Sequence, residues 1–155
     1  MGLDMYLNGK RFLSEYFHKG DDGIKQAVGQ LFPELAAMQT GRDEGVVKQI
    51  EIEAGYWRKA NQIHAWFVRN VQDGRDECQP HHVERDQLRE LRDTCQRVLD
   101  DHALAQELLP AQSGFFFGGT DYNEWYFKDL EHTIKIIDQC LALPRDWSFE
   151  YCSSW

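Results

Sequence analysis

The chain has 155 residues, of which 42% are hydrophobic and 28% charged, and its formal net charge is −9. This composition excludes a disordered chain and predicts one folded domain over residues 1–155, while the charge argues against duplex nucleic acid, whose binding depends on neutralising phosphates. Apolar runs are too short for a membrane helix and Asp4 is unlike a signal peptide, so we expect a cytoplasmic protein with no membrane partner.

The first half of the chain alternates between strand and helix patterns. Two-residue alternation of apolar side chains predicts a strand over residues 2–7. Helical spacing follows over residues 24–35, interrupted by Pro33. Alternation returns over residues 46–52 and predicts a second strand. Apolar residues at helical spacing then predict the main helix over residues 54–72.

The second half is mainly helical. Residues 73–82 are polar and are predicted to form a loop, and the next apolar stripe predicts a helix over residues 84–102. A capping box that begins at Asp121 predicts a last helix over residues 121–143. Alternating aromatic residues at 147–152 predict a closing strand. We therefore expect an α+β fold, in which three or four helices pack on a small sheet that includes the N- and C-terminal strands.

The predicted main helix carries polar and aromatic side chains that are unusual in a simple core. Helical spacing aligns Trp57, Asn61 and His64 beside the buried stripe. An amide and an imidazole one turn apart suit hydrogen bonding to a small polar ligand or to the edge of a base. Two alternatives stay open. These groups could satisfy buried backbone atoms, or His64 could act in acid–base catalysis.

A second unusual segment contains three phenylalanines flanked by glycines, at residues 113–120. Its composition is typical of a buried strand or a packed loop. Gly118 and Gly119 come just before a predicted helix, so free backbone N–H groups there could receive an anion such as phosphate. Asp121 weakens this second interpretation, because it places a carboxylate where the phosphate would lie.

We hypothesise a ligand pocket between the predicted main helix and residues 113–120. Basic side chains would supply charge, the amide and imidazole would supply hydrogen bonds, and aromatic rings would supply a stacking surface. The predicted ligand-binding residues are Tyr56, Arg58, Lys59, Asn61, His64, Ser113, Phe115, Phe117 and Tyr126. The sequence contains no G-x-S-x-G or H-E-x-x-H motif. We therefore predict no catalytic residue and no cofactor, and we leave open whether the protein is an enzyme.

A cluster of soft metal ligands lies in the predicted loop. Cys78, His81 and His82 are close in sequence and could join another histidine to bind zinc. The chain lacks the second spaced pair that structural zinc sites use. We therefore predict no metal site, although the cluster leaves the question open.

Four stretches of the chain together resemble a known group of proteins. They are Met-Gly-Leu-Asp-Met-Tyr-Leu at 1–7, Gly-Tyr-Trp-Arg-Lys-Ala-Asn-Gln-Ile-His at 55–64 with Trp-Phe at 66–67, Ser-Gly-Phe-Phe-Phe-Gly at 113–118, and Ser-Ser-Trp at 153–155. In this order they resemble a family of small proteins from phages, prophages and bacteria that mostly have no assigned function. The resemblance does not cover residues 8–45. It implies a phage setting and action in the cytoplasm of the host cell, and it supplies no catalytic residues.

Three functions are compatible with these features. The first is capture of a small polar or nucleotide-like ligand, which would counter host defence. The second is inhibition of a host defence complex by direct binding through an acidic face. The third is an enzyme that acts on nucleotides or on a host protein. The aromatic content of 13% is also compatible with a homo-oligomer.

Overall fold

The computed structural model describes residues 2–38, 46–114 and 117–155. Within them the chain forms four strands and six helices. In chain order these are β1 (Asp4–Phe12), α1 (Asp21–Leu31), α2 (Pro33–Ala36), β2 (Gln49–Arg58), α3 (Asn61–Asn70), β3 (His81–Val83), α4 (Arg85–Asp100), α5 (Ala105–Leu108), α6 (Glu124–Ala142) and β4 (Trp147–Ser154). The strands form one antiparallel sheet in the order β2-β1-β4-β3. The predicted α+β class, with both terminal strands in the sheet, is confirmed.

The chain divides into two compact units. One combines Met1–Gly9 with Ile52–Trp155, and the other is Lys10–Glu51. The single domain predicted from the length stays a prediction. Within the described ranges, no helix combines the length and the apolar character needed to cross a membrane.

The larger unit contains a core built from one face of the sheet and from the apolar stripes of three helices. Leu3, Met5 and Leu7 alternate inward as predicted, because successive side chains of a strand point to opposite faces. Phe149 and Tyr151 of β4 lie on the same buried side. The helices contribute Ile63 and Phe67 from α3, Leu88, Leu91, Cys95 and Val98 from α4, and Leu130, Ile137 and Cys140 from α6.

The smaller unit contains α1 and α2, and few of its described side chains are buried. Asp21 is its buried carboxylate, which accepts hydrogen bonds from the guanidinium of Arg11 and from the backbone N–H of Ser14. The break predicted at Pro33 is confirmed, because that proline begins α2 directly after Phe32. Several apolar side chains of this unit are exposed, including those of Tyr16, Phe17 and Leu31.

The predicted main helix over residues 54–72 is wrong in its first part. Residues up to Arg58 belong to β2, and α3 begins only at Asn61. Gly55 and Trp57 are buried, whereas Tyr56 and Arg58 point away from the core, which is the alternation of a strand. A Cβ on residue 55 would collide with the Cγ2 methyl of Ile136 in α6. Close packing of β2 against α6 therefore requires glycine at this position.

Other predicted boundaries also move. The second strand lies at Gln49–Arg58 instead of residues 46–52. The predicted loop at 73–82 ends in the short strand β3, in which His81 pairs with Tyr151 of β4. The last helix begins at Glu124, and its cap is Asn123, whose side chain accepts from the N–H groups of Trp125 and Tyr126. The predicted capping box at Asp121 is wrong.

Candidate functional site

The candidate site is centred on the sharp turn that joins β2 to α3. Lys59 occupies this turn with a positive φ of 61°. Its N–H donates to the carbonyl of Leu3 at 2.8 Å, and its own carbonyl accepts from the N–H of Asn61 at 2.9 Å. The left-handed conformation costs a residue with a Cβ about 1 kcal/mol. Strain of this kind is held in place by surrounding contacts and is concentrated at functional sites.

Asn61, the first residue of α3, attaches the segment before α6 to this turn. Its side-chain amide is only 2% exposed. The Nδ2 group donates to the carbonyls of Phe117 and Gly119, at 3.0 and 2.8 Å, and the Oδ1 atom accepts from the N–H of Gln112 at 2.8 Å. The amide is therefore fully used by the protein's own backbone. These hydrogen bonds agree with the structural interpretation of Asn61, and its predicted role in ligand binding stays a prediction.

A cleft of about 300 Å³ lies beside the turn, and we call it the Lys59 cleft. The end of β2, the first turn of α3, the segment before α6 and the first turns of α6 form its walls. Its lining residues are Arg58, Lys59, Asn61, Gln62, Gly118, Gly119, Asp121, Asn123, Trp125, Tyr126 and Asp129. Gly118 has a φ of 86°, and a Cβ there would lie 3.2 Å from Cβ of Lys59, so the two backbones approach closely.

The Lys59 cleft carries charges of both signs. Arg58 and Lys59 contribute two exposed cations, and among the described residues neither forms an ion pair. Asp129 of α6 contributes a half-buried carboxylate on the opposite wall. Burial raises the pKa of Asp129, and a hydrogen bond from the buried side chain of Gln62 opposes this rise. The Nε2 group of Gln62 lies 3.3 Å from Oδ2 of Asp129.

An aromatic wall closes the cleft on the α6 side. Trp125 is 72% exposed, and the ammonium of Lys128 lies 4.9 Å from its ring centroid. Tyr126 is buried, and its hydroxyl donates to the carbonyl of Leu109 at 2.7 Å. The rigid Tyr126 ring thus supports the wall, while the exposed indole offers a flat surface on which a planar group can stack.

His64 lies away from this cleft in a chain of side-chain hydrogen bonds. It is 1% exposed. Its Nδ1 atom lies 2.7 Å from the hydroxyl of Tyr151, and its Nε2 atom lies 3.1 Å from Oδ1 of Asp76, which also accepts from the indole N–H of Trp155. Burial lowers the pKa of His64, and the carboxylate of Asp76 opposes the shift. A neutral imidazole that donates from Nε2 and accepts at Nδ1 satisfies every member of the chain.

A smaller cavity of about 160 Å³ borders this network, and we call it the His64 cavity. Its walls include Arg69 of α3 together with Ser113 and Phe117. The Phe117 ring meets the imidazole edge-on at a centroid distance of 5.1 Å. Both ring nitrogens of His64 have protein partners, the hydroxyl of Tyr151 and the carboxylate of Asp76, so the imidazole is part of the buried network that borders this cavity.

The structure separates the predicted ligand-binding residues into groups. Arg58, Lys59, Asn61 and Tyr126 line the Lys59 cleft, whereas His64, Ser113 and Phe117 line the His64 cavity. Among the described residues, those assigned to one predicted pocket thus line two different openings, and their role in ligand binding stays a prediction. Phe115 lies outside the described residues.

Tyr56 belongs to neither opening. As a strand residue it projects to the other side of the sheet, where its hydroxyl donates to Asp4 and its ring lies 5.4 Å from that of Tyr6. Sequence reasoning also missed Gln62, Trp125 and Asp129, which line the Lys59 cleft. Trp125 and Asp129 are four residues apart on a helix, and this spacing was the signal that could have identified them.

The predicted cluster of metal ligands is dispersed by β3. His81 and His82 are consecutive strand residues, so their side chains point in opposite directions. The Nε2 atom of His81 lies 2.8 Å from Glu77, and that of His82 lies 3.2 Å from Glu84. Among the residues that the structure describes, no group of three or more His, Cys, Asp or Glu side chains is arranged to hold a metal ion.

Comparisons of the chain with known protein families, with curated proteins and with solved structures found no match. The resemblance to small phage proteins therefore stays a prediction.

Proposed function

We propose that the protein captures a small, nucleotide-like ligand in the Lys59 cleft without converting it chemically. The observation that carries the proposal is the strained turn at Lys59, which places a cation that forms no ion pair with any described residue at a cleft also lined by Trp125 and Tyr126 of α6. The cleft volume of about 300 Å³ suits a mononucleotide better than a larger ligand.

The charges support an anionic group on the ligand. The chain as a whole has a net charge of −9, yet Arg58 and Lys59 stand side by side at the mouth of the cleft. The attraction between these cations and an anionic ligand is stronger in a cleft than on a flat surface, because water screens charges less in a concave site. A phosphate at this mouth would be bound by both side chains through charge-assisted hydrogen bonds.

The exposed indole of Trp125 supports a planar group on the same ligand. An aromatic ring that is 72% exposed gains hydrophobic and stacking energy when a base covers it. His64, the residue considered for acid–base catalysis, does not line the Lys59 cleft, and this supports capture over catalysis there. In a phage setting, such capture would remove a nucleotide from the cytoplasm of the host and so counter host defence.

A panel of nucleoside monophosphates and cyclic nucleotides tests the proposal. At least one member should raise the melting temperature and release or absorb heat on titration, because a ligand that binds only the folded state stabilises it. The variant Lys59→Gly should bind that nucleotide at least about tenfold more weakly, since it loses one charge-assisted contact. Its free energy of unfolding should nevertheless lie within about 1 kcal/mol of that of the natural protein, because glycine relieves the strain of the left-handed conformation.

Lys135→Ala is the matched control for charge, because Lys135 is exposed on α6 and does not line the Lys59 cleft. It should bind the nucleotide as the natural protein does. A panel in which no nucleotide shifts melting or gives heat would overturn the proposal, and so would equal losses of affinity in the two variants.

We propose protein binding as a second candidate function, because the Lys10–Glu51 unit exposes large apolar side chains. Tyr16 is 90% exposed, Phe17 is 68% exposed, and their rings meet edge-on at 5.0 Å. Leu31 at the end of α1 is 75% exposed. Neighbouring exposed aromatic residues are a common feature of protein-binding surfaces. This surface is apolar, in contrast to the acidic face considered for a host defence inhibitor.

Affinity capture from a host lysate tests this second candidate. The natural chain should retain one dominant host protein, and the double variant Tyr16→Ser/Phe17→Ser should lose it, while Lys59→Gly should keep it. Retention of the same protein by the double variant would exclude this surface. Size-exclusion chromatography of the purified chain identifies the case in which the partner is a second copy.

A further inference from the structure

The α6 side of the Lys59 cleft offers a ligand the carboxylate of Asp129 as an acceptor, beside the donor groups of Asn123 and Trp125. Asn61 cannot read a base edge, because its amide is occupied by Phe117, Gly119 and Gln112. The Nε2 group of Gln62 is directed at Asp129 and at the carbonyl of Tyr126. The Oδ1 atom of Asn123 caps α6 and the hydroxyl of Tyr126 donates to Leu109, so the acceptor left for a base edge on this side is the carboxylate of Asp129, which does not donate when ionised.

Asp129 is held in place for such a role. The donor from Gln62 contacts its Oδ2 atom at 3.3 Å, and Gln62 itself is 2% exposed and cannot swing away without leaving the core. Trp125 lies one helical turn earlier on the same helix, so its ring and the carboxylate both line the cleft. A base stacked on the indole would present its edge to Asp129.

The two oxygens of a carboxylate favour a base edge with two adjacent donors. Guanine has this arrangement, because its N1–H and its 2-amino group lie side by side. Adenine and cytosine place a ring-nitrogen acceptor beside their amino group, and this lone pair would face a carboxylate oxygen. Uracil has a single N–H between two carbonyl oxygens. An unpaired or repelled polar group in a partly buried site weakens binding strongly.

We propose that the Lys59 cleft selects guanine mononucleotides, with the base edge donating to the carboxylate of Asp129 and the phosphate bound by Lys59 and Arg58. This inference rests on the proposed capture function and names its ligand. It also accounts for the mixture of charges in the cleft. The anionic phosphate of the ligand matches the cations on one wall, and the two N–H donors of its base match the carboxylate on the other.

Calorimetric titration with GMP, IMP, AMP and XMP tests the inference. IMP is GMP without the 2-amino group, so GMP should bind at least about tenfold more tightly than IMP, and AMP should bind more weakly than GMP. Asp129→Asn should reverse the preference, because an asparagine amide can donate to the 2-carbonyl oxygen of XMP. The variant should lose affinity for GMP and gain affinity for XMP. Its side-chain oxygen can still accept from Gln62, so folding should be preserved.

Asp121→Asn is the matched control, because Asp121 is an exposed carboxylate that lines the same cleft. It removes the same charge and should change the affinities for GMP and IMP by the same factor. If GMP, IMP and AMP bind equally, the guanine assignment is overturned while capture in the cleft stands. If Asp129→Asn does not change the GMP-to-XMP ratio, the role of Asp129 is overturned. If no nucleotide binds, the proposed function fails with it.

Discussion

Replacement of His64 by alanine should lower the free energy of unfolding by about 4 kcal/mol at pH 7, because it empties a buried site and removes two hydrogen bonds. The imidazole is 1% exposed and joins the hydroxyl of Tyr151 to the carboxylate of Asp76. Tyr151 is itself fully buried and stacks on Phe67 at a centroid distance of 3.9 Å, so its hydroxyl would lose its imidazole partner inside the core. Urea denaturation measures the change.

Two control variants separate the causes of this loss. Tyr151→Phe removes only the hydroxyl and should cost about 1 kcal/mol. His81→Ala removes a histidine whose hydrogen-bonding contact with Glu77 is solvent-exposed, and it should change stability by less than about 0.5 kcal/mol. If the free energy of unfolding of His64→Ala lies within about 1 kcal/mol of that of the natural chain, the His64 hydrogen bonds do not stabilise the fold as expected.

The same residue sets an expected pH dependence. The ordinary pKa of histidine is 6.5, and burial lowers the pKa of His64 in the folded chain, with Asp76 opposing the shift. Between these two pKa values the unfolded chain binds more protons than the folded chain, so stability falls as the pH drops below 6.5 and is fully present above it. His64→Gln should flatten this part of the stability profile. An unchanged slope below pH 6.5 would show that another group is responsible.

Replacement of Asn61 by alanine should lower the free energy of unfolding by about 3 kcal/mol, because one buried amide makes three hydrogen bonds to backbone groups. The loss should be concentrated at the described residues that the amide contacts, namely Gln112, Phe117 and Gly119. Hydrogen exchange should therefore show faster exchange of the N–H of Gln112, which donates to Asn61 Oδ1, than of amides in α4.

Asn61→Asp is the informative control for this prediction. Aspartate keeps the acceptor for the N–H of Gln112 and removes the donor to Phe117 and Gly119. The decrease in its free energy of unfolding should exceed the contribution of one hydrogen bond, because a carboxylate would then face two carbonyl oxygens. If the alanine and aspartate variants both unfold like the natural protein, the amide does not hold this segment.

Long, regular elements were predictable because their local patterns and their tertiary surroundings agree. The apolar stripe of α4, from Leu88 to Val98, faces the core as its spacing predicts, and the alternation of Leu3, Met5 and Leu7 places β1 correctly. The α+β class followed from these elements and from β4.

The region around the candidate site was predicted less well, because its pattern fits two structures. The spacing of Ala60, Ile63 and Phe67 is helical and was extended back through Tyr56, whereas these earlier residues form a strand. The deciding contact is that of Gly55 with Ile136, which are 81 positions apart and invisible to a local pattern. That strand assignment in turn moves Tyr56 to the far side of the sheet.

Residue types alone indicated which side chains carry unusual chemistry, and the tertiary structure decided which of them are free to use it. Asn61 and His64 were correctly singled out as polar groups at the edge of a core, yet their partners, Gly119 and Tyr151, come from distant segments. Lys59 and Asp129 line one cleft only because the fold brings the end of β2 and α6 together. Burial and hydrogen-bond satisfaction are properties of the packed chain, so a sequence pattern determines the candidates and the fold determines their roles.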